Sequence, residues 1–258
     1  MTLVLGAVVL GALVQAAGLD PDAARLVDLT HPFDGRTVYW PTARKFTLAP
    51  VAHGVTAGGW WYAANDFCAA EHGGTHLDAP IHFAERGWTA DQVPLDRLIG
   101  AAVVVDMTAK AAGDPDALLT RADLETLEAR AGRIPDGAIV LVRWGWDAHW
   151  TDPARYLGSP APADPLRLHF PGVAEDAARW LVTERRVKSV GIDTASIDNG
   201  PSREFRAHRA LAAANVPVFE NLAGLGRLPA RGATFIGLPM KVGGGSGGPL
   251  RAVAVLPE

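Results

Sequence analysis

Apolar residues along this chain fall in short runs broken by glycine, proline and acidic residues. Such runs predict strands covered on both faces, because burial on both sides removes the polar alternation of a half-exposed strand. They place strands at 26–30, 102–107, 138–143, 189–192, 216–220, 234–238 and 252–256. The aromatic stretch Trp60–Phe67 also reads as extended. Amphipathic spacing predicts helices over 173–186 and 205–214. A third helix spans 121–131: Thr120 caps it, Asp123 and Glu125 load its first turn with acceptors and negative charge, and Gly132 stops it. Residues 144–169 carry four prolines and little periodicity, and read as a long loop of the kind that is often functional. Strands and helices mix without strict alternation, which predicts a layered α/β fold over a doubly wound sheet. With no repeat and no linker, one domain is expected over 25–258.

Composition narrows the class of partner. Hydrophobic residues make up 48% of the 258 and charged residues 20%, so the chain is globular. A net charge of −4 with no basic cluster argues against nucleic acid and for a small-molecule substrate. Cys68 is the single cysteine, so no internal disulfide forms; among Phe67, Ala69 and Ala70 it reads as a small buried hydrophobe and not as a nucleophile. Leu3–Val14 is apolar and uncharged, too short to span a bilayer, and Val14-Gln15-Ala16 has a small-x-small pattern. Residues 1–17 are therefore expected to be a signal peptide, with the mature protein secreted or periplasmic and carrying no membrane span. If the segment is retained, the location is cytoplasmic.

The chemistry concentrates in His72-Gly-Gly-Thr-His76-Leu-Asp78-Ala-Pro-Ile-His82, which holds three imidazoles and a carboxylate within eleven residues. These are ligand types that suit zinc or manganese. Two glycines and a proline oppose a helix, so the spacing is not that of a helical His pair. A tight turn at Gly73-Gly74 leads into an extended piece on which His76 and Asp78, two apart, share a side. Pro80 breaks the strand and turns His82 back toward the cluster.

This motif, His-x-Gly-Thr-His-x-Asp-x-Pro-x-His, resembles that of the cyclase family, which includes bacterial-type kynurenine formamidases and isatin hydrolases. The likeness runs from Asp28-Leu-Thr-His-Pro through Gly191-Ile-Asp-Thr-Ala-Ser-Ile-Asp198 to the last strand. It implies a swivelling β/β/α fold with a mixed sheet, and a homodimer with sites near the interface. It also implies metal ligation by His72, His76 and Asp78. A His and a Glu twelve residues apart complete a two-metal site in the formamidases, and His208 and Glu220 match that spacing. One or two ions, zinc or manganese, are expected. His208 on a helix and Glu220 at a strand's carboxyl end can also be brought together on structural grounds.

The resemblance implies hydrolysis of a C–N bond in a small aromatic or cyclic amide by activated water, with His82 moving the proton to the leaving nitrogen. Glu71 is placed to support the first ligand. Trp60, Trp61 and Phe67 are candidates for an aromatic substrate wall, Asn65 and Ser246 for substrate contacts, and Tyr39 and Trp40 for closing the pocket or meeting a partner subunit. Gly243–Pro249 lacks the Lys-Ser/Thr pair of a phosphate cradle and reads as a flexible loop at the site's edge. An isatin-like ring opening is the first expectation and arylformamidase activity the alternative. A secreted metal-binding protein without turnover is the alternative of another class.

Overall fold

The computed structural model describes residues 25–160 and 163–257, so the expected leader lies outside the described residues. Twelve strands run in chain order: β1 (Leu26–Asp28), β2 (Thr47–Val55), β3 (Trp61–Cys68), β4 (His76–Asp78), β5 (Ile99–Asp106), β6 (Leu118–Leu119), β7 (Ile139–Arg143), β8 (Gly172–Val173), β9 (Ser189–Ile192), β10 (Val218–Glu220), β11 (Arg231–Pro239) and β12 (Gly247–Val255). Eight of them form one mixed sheet in the order β1-β12-β11-β5-β7-β9-β10-β4. β5, β7, β9 and β10 are parallel neighbours; β11, β12, β4 and β1 join antiparallel. β4 pairs with β10 on one side and with the first residues of β12 on the other, so the pairing closes into a ring.

The period-2 geometry of the strands sorts their side chains into two cores. Ala102, Val104, Ile139, Leu141, Phe219, Phe235 and Ala252 pack together on one face. Val103, Val105, Val140, Val142, Val190, Ile192 and Val218 face the opposite way, against the helices. Both faces are buried, which is why these strands read as continuous apolar runs.

The helix Arg121–Ala131 forms as expected. Thr120 accepts from the Asp123 backbone N–H, and the Asp123 carboxylate accepts from the Thr120 N–H, closing a capping box. Helices Glu175–Arg185 and Arg206–Ala212 lie within their predicted spans. Residues 144–169 depart from the long-loop expectation. They contain a 3-10 turn at Trp146–His149 and a helix at Pro153–Leu157, and Trp144, Trp146, Trp150, Tyr156, Leu157 and Leu168 are buried. The organiser is remote in sequence: the Asp193 carboxylate accepts from the backbone N–H groups of Trp144, Gly145 and Trp146 at 2.8, 2.8 and 3.2 Å. Burial pushes that carboxyl up to about 7, against those three donors.

β2 and β3 form a separate hairpin. Leu48, Val51, Val55, Trp60, Trp61, Tyr62 and Phe67 on it are all more than half exposed. No helix among the described residues is long and apolar enough to cross a membrane.

Candidate metal centre and active site

The short strand β4 carries the first ligands. Gly74, at φ 60°, makes the turn that precedes it, and a Cβ there would sit 2.5 Å from the Phe33 ring. The carbonyl of Gly74 accepts from Asn221 Nδ2 at 2.8 Å and bonds His76 Nδ1 at 3.0 Å. Asn221 is itself fixed, with Tyr156 donating to its Oδ1 and Thr75 to its carbonyl. In β4, Leu77 enters the apolar core while His76 and Asp78 turn to the other side. Pro80 opens the 3-10 turn Pro80–His82, which brings the His82 ring to 3.9 Å from His72, stacked.

Asp78 stands at the centre. One oxygen lies 2.6 Å from His72 Nδ1 and 3.1 Å from His76 Nε2; the other lies 3.0 Å from His208 Nε2. Glu220 approaches His208 Nε2 at 3.1 Å and His76 Nε2 at 3.6 Å. The register explains this convergence: Glu220 pairs with His76 across β10 and β4. His208 comes from the helix Arg206–Ala212, held by Asp198. That carboxylate accepts from the Ala207 and His208 backbone N–H groups and lies 2.7 Å from His208 Nδ1.

His76, Asp78, His208 and Glu220 are all buried, and no Lys or Arg lines the cavity they face among the described residues. Two carboxylates in such a place disturb each other. Burial, then the Asp78 charge, raises the Glu220 carboxyl. Burial also opposes the Asp78 charge, but His72 together with the hydrogen bonds of His208, His72 and His76 holds that carboxyl well below its ordinary value. Burial disfavours a charged His208, yet hydrogen bonds to Asp198, Asp78 and Glu220 outweigh it and raise its pKa. His82 goes the other way: its side chain is partly open to the cavity, but crowding of the ring by its surroundings, reinforced by its histidine neighbours, lowers it to about 4.

The residues fit a divalent cation. The buried His76 Nε2, 3.1 Å from Asp78, makes no well-directed hydrogen bond among the described residues. The second ring nitrogen of each of His72, His76 and His208 is held by Ser246, Gly74 or Asp198, the support a ligand imidazole needs. His72, Asp78 and His82 bring ligand atoms within 4.8 Å of one another, and so do His76, Asp78 and Glu220. Asp78 belongs to both groups.

The cluster opens into a cavity of about 300 Å³ whose other walls are mainly apolar: Val38, Tyr39, Trp40, Phe83 and Phe205 among them. Tyr39 and Trp40 therefore close the site from within the same chain. Phe83 and Phe205 were not legible as site residues. Their rings lie 5.4 Å apart, and Phe83 stands 4.4 Å from His208. Trp60, Trp61, Asn65 and Phe67 are not among the residues that line the cavity within one chain. They lie on or beside the exposed hairpin, whose strands pair with each other and not with the main sheet. Ser246 does not line it either; its hydroxyl turns to His72 at 2.8 Å.

A buried cluster of imidazoles and carboxylates beneath an aromatic cavity has the make-up of a metal centre joined to a small-molecule site, and the comparisons with known proteins give its class as that of the metal-dependent hydrolases. The cyclase family model matches residues 27–199, and the chain belongs to that family. It is 35% identical over 209 residues to the isatin hydrolase of Roseibium aggregatum, covering 78% of this chain and 77% of that protein. It is 32% identical over 182 residues to the kynurenine formamidase of Erythrobacter litoralis, covering 70% and 72%. The solved structure of isatin hydrolase A from Ralstonia solanacearum superposes with a TM-score of 0.81 at 33% identity, covering 90% of this chain and 92% of that one. The fold is the expected cyclase fold, and the activity is metal-dependent hydrolysis of C–N bonds other than peptide bonds.

Proposed function

We propose that the chain opens the ring of a small aromatic cyclic amide, as an isatin hydrolase does. The observation that carries this reading is the joining of the buried ligand cluster to a cavity walled by Tyr39, Trp40, Phe83 and Phe205. Aromatic walls favour a flat aryl substrate through offset or edge-on ring contacts. The greater identity to an isatin hydrolase than to a kynurenine formamidase supports the cyclic substrate over the acyclic one.

His72, His76, Asp78, His208 and Glu220 would hold one or two ions: Asp78 has ligand atoms close to those of His72 and to those of His76 and Glu220, and His208 stands beside Asp78 and Glu220. The nitrogen and oxygen donors suit zinc or manganese. When bound, a divalent cation supplies Lewis acidity that activates water and polarises an amide carbonyl. The chain's residues supply the rest. The apolar wall orients the aryl ring and keeps bulk water out. His82, neutral at pH 7, borders the same cavity beside His72. It accepts the proton of the attacking water and passes it to the departing nitrogen, which leaves as an amine while the carbonyl carbon becomes a carboxylate. We also propose a homodimer, supported by the apolar surface of the β2–β3 hairpin.

Purified protein assayed for metal content, and for hydrolysis of isatin and of N-formylkynurenine before and after chelation, tests the reading. Bound zinc or manganese with chelator-sensitive isatin hydrolysis is the expected result. Preference for N-formylkynurenine would transfer the protein to the formamidase reading. Metal without turnover of either compound would rule out both substrates.

A further inference from the structure

The segment Gly243–Pro249 is neither a phosphate cradle nor a loose edge. Gly247, Gly248 and Pro249 pair with Asp78, Leu77 and His76 at the start of β12. Ahead of them, Ala79 N donates to the Ser246 carbonyl at 2.9 Å and Ala90 N to the Gly245 carbonyl at 2.8 Å. The glycines here are dictated by space. A Cβ on Gly245 would lie 2.6 Å from Glu71 Oε1, and one on Gly247 would lie 2.6 Å from His72 Cε1 and 2.5 Å from the Leu77 carbonyl oxygen. The segment is thus moulded around two consecutive side chains, Glu71 and His72.

Ser246 links those two. Its hydroxyl donates to Glu71 Oε2 at 2.6 Å, and its backbone N–H donates to the same oxygen at 3.1 Å. The hydroxyl oxygen lies 2.8 Å from His72 Nε2. A serine hydroxyl has one proton. With that proton on Glu71, the oxygen can only accept from His72, so Nε2 carries a hydrogen. Nδ1 is then the nitrogen turned to the cluster, 2.6 Å from Asp78 Oδ1. His76 and His208 are set the opposite way, each with Nδ1 anchored and Nε2 turned inward.

We propose that Glu71 and Ser246 are positioning residues which fix the ring orientation and tautomer of His72, so that it ligates through Nδ1, and that Glu71 acts only through Ser246. The glycines at 245 and 247 are the space this relay needs. The proposal rests on the metal-centre reading above.

The test measures Zn²⁺ affinity by competition with a chromophoric chelator, in the parent, Ser246→Ala, Glu71→Gln and the double variant. Each single change is expected to weaken Zn²⁺ binding by roughly 10- to 100-fold, with the melting temperature of the chelated protein unchanged. Because the two residues act in series, the double variant should bind no more weakly than the weaker single. Parent-like affinity in Ser246→Ala, losses that multiply in the double variant, or losses that track a falling melting temperature would overturn the relay. A parent that binds Zn²⁺ tightly while the variants do not differ overturns this proposal alone. A parent that binds neither Zn²⁺ nor Mn²⁺ overturns the metal-centre reading and the relay with it.

Discussion

The ligand cluster around β4 and the β2–β3 hairpin invert the usual distribution of side chains in opposite ways. At β4, charged and imidazole groups are buried: Asp78 and Glu220 are each 4% exposed. On the hairpin, large apolar groups face outward: Trp60 is 64% exposed and Trp61 60%. Each arrangement is costly for an isolated chain, the first through desolvation of charge, the second through apolar surface left in water. The difference teaches what each region is built to receive. Buried converging acceptors call for a cation, and an exposed apolar ribbon calls for another apolar surface, which the proposed homodimer would supply as a second copy of the chain.

The sharpest way to break the first half of the comparison is to remove the shared carboxylate. Asp78→Ala takes a ligand from both candidate metal groups at once. Metal content should fall to background and hydrolysis should be lost, by more than any other single change. Retention of stoichiometric metal in Asp78→Ala would contradict its place in both ligand groups.

The hairpin is tested by polarity. Trp60→Ser with Trp61→Ser removes two indoles from each protomer. A homodimer loses four indoles in all, and with buried aromatic anchors contributing on the order of 2 kcal/mol each, a dimer held by them should weaken by more than about 10³-fold. Analytical ultracentrifugation should show monomers at concentrations where the parent is dimeric, with Zn²⁺ affinity unaltered. A parent that sediments as a monomer would leave the exposed aromatics without this explanation.

His82 distinguishes a metal centre that works from one that stores. His82→Ala should keep its metal and lose about 10²- to 10⁴-fold in kcat, the range for a positioned acid–base group. A non-catalytic metal protein has no rate to lose, and if His82 is instead a ligand, metal content falls together with activity.

Much of this was legible in the sequence, and the exceptions have a common cause. The buried strands, the Thr120 cap and the turn at Gly73-Gly74 are set by neighbours a few residues away. Pattern and spacing therefore carry them, and His72 to Asp78 with them. His208 and Glu220 were reached through the family spacing, with their places on a helix and at a strand's end in support, since a histidine on a short helix has no local mark of ligation. Phe83, Phe205 and Asp198 left no periodic signal. Their roles come from the packing of distant segments, as with Asp198, which touches His208 ten residues on. Trp60 and Trp61 precede the metal motif in sequence, but pairing of β3 with β2 places them on an exposed hairpin and not among the residues lining the cavity. The error over 144–169 is of the same kind, because Asp193 organises that segment from outside it.

The smallest predicted effect lies behind the cluster, at His31. Its ring stacks on Trp150 at 3.9 Å, nearly parallel, and its Nε2 is buried with no hydrogen-bond partner among the described residues. Burial lowers its pKa from 6.5 to about 4, with Asp147 opposing weakly. The unfolded chain therefore binds a proton between these values that the folded chain refuses. This contribution to stability is intact above pH 6.5 and is lost as the pH falls toward 4, by at most about 1.4 kcal/mol per pH unit. Asp193, raised to about 7 by burial, works in reverse and removes stability as the pH rises from 3.8 toward 7. A single pH profile would mix the two. Comparing the parent with His31→Phe, which keeps a stacking ring and drops the titration, cancels Asp193 and the ligand cluster from the difference. Urea midpoints at pH 7 and pH 5 should show the parent losing more stability on acidification than His31→Phe. Equal losses would mean that His31 is either already protonated in the fold or too close to water to refuse the proton.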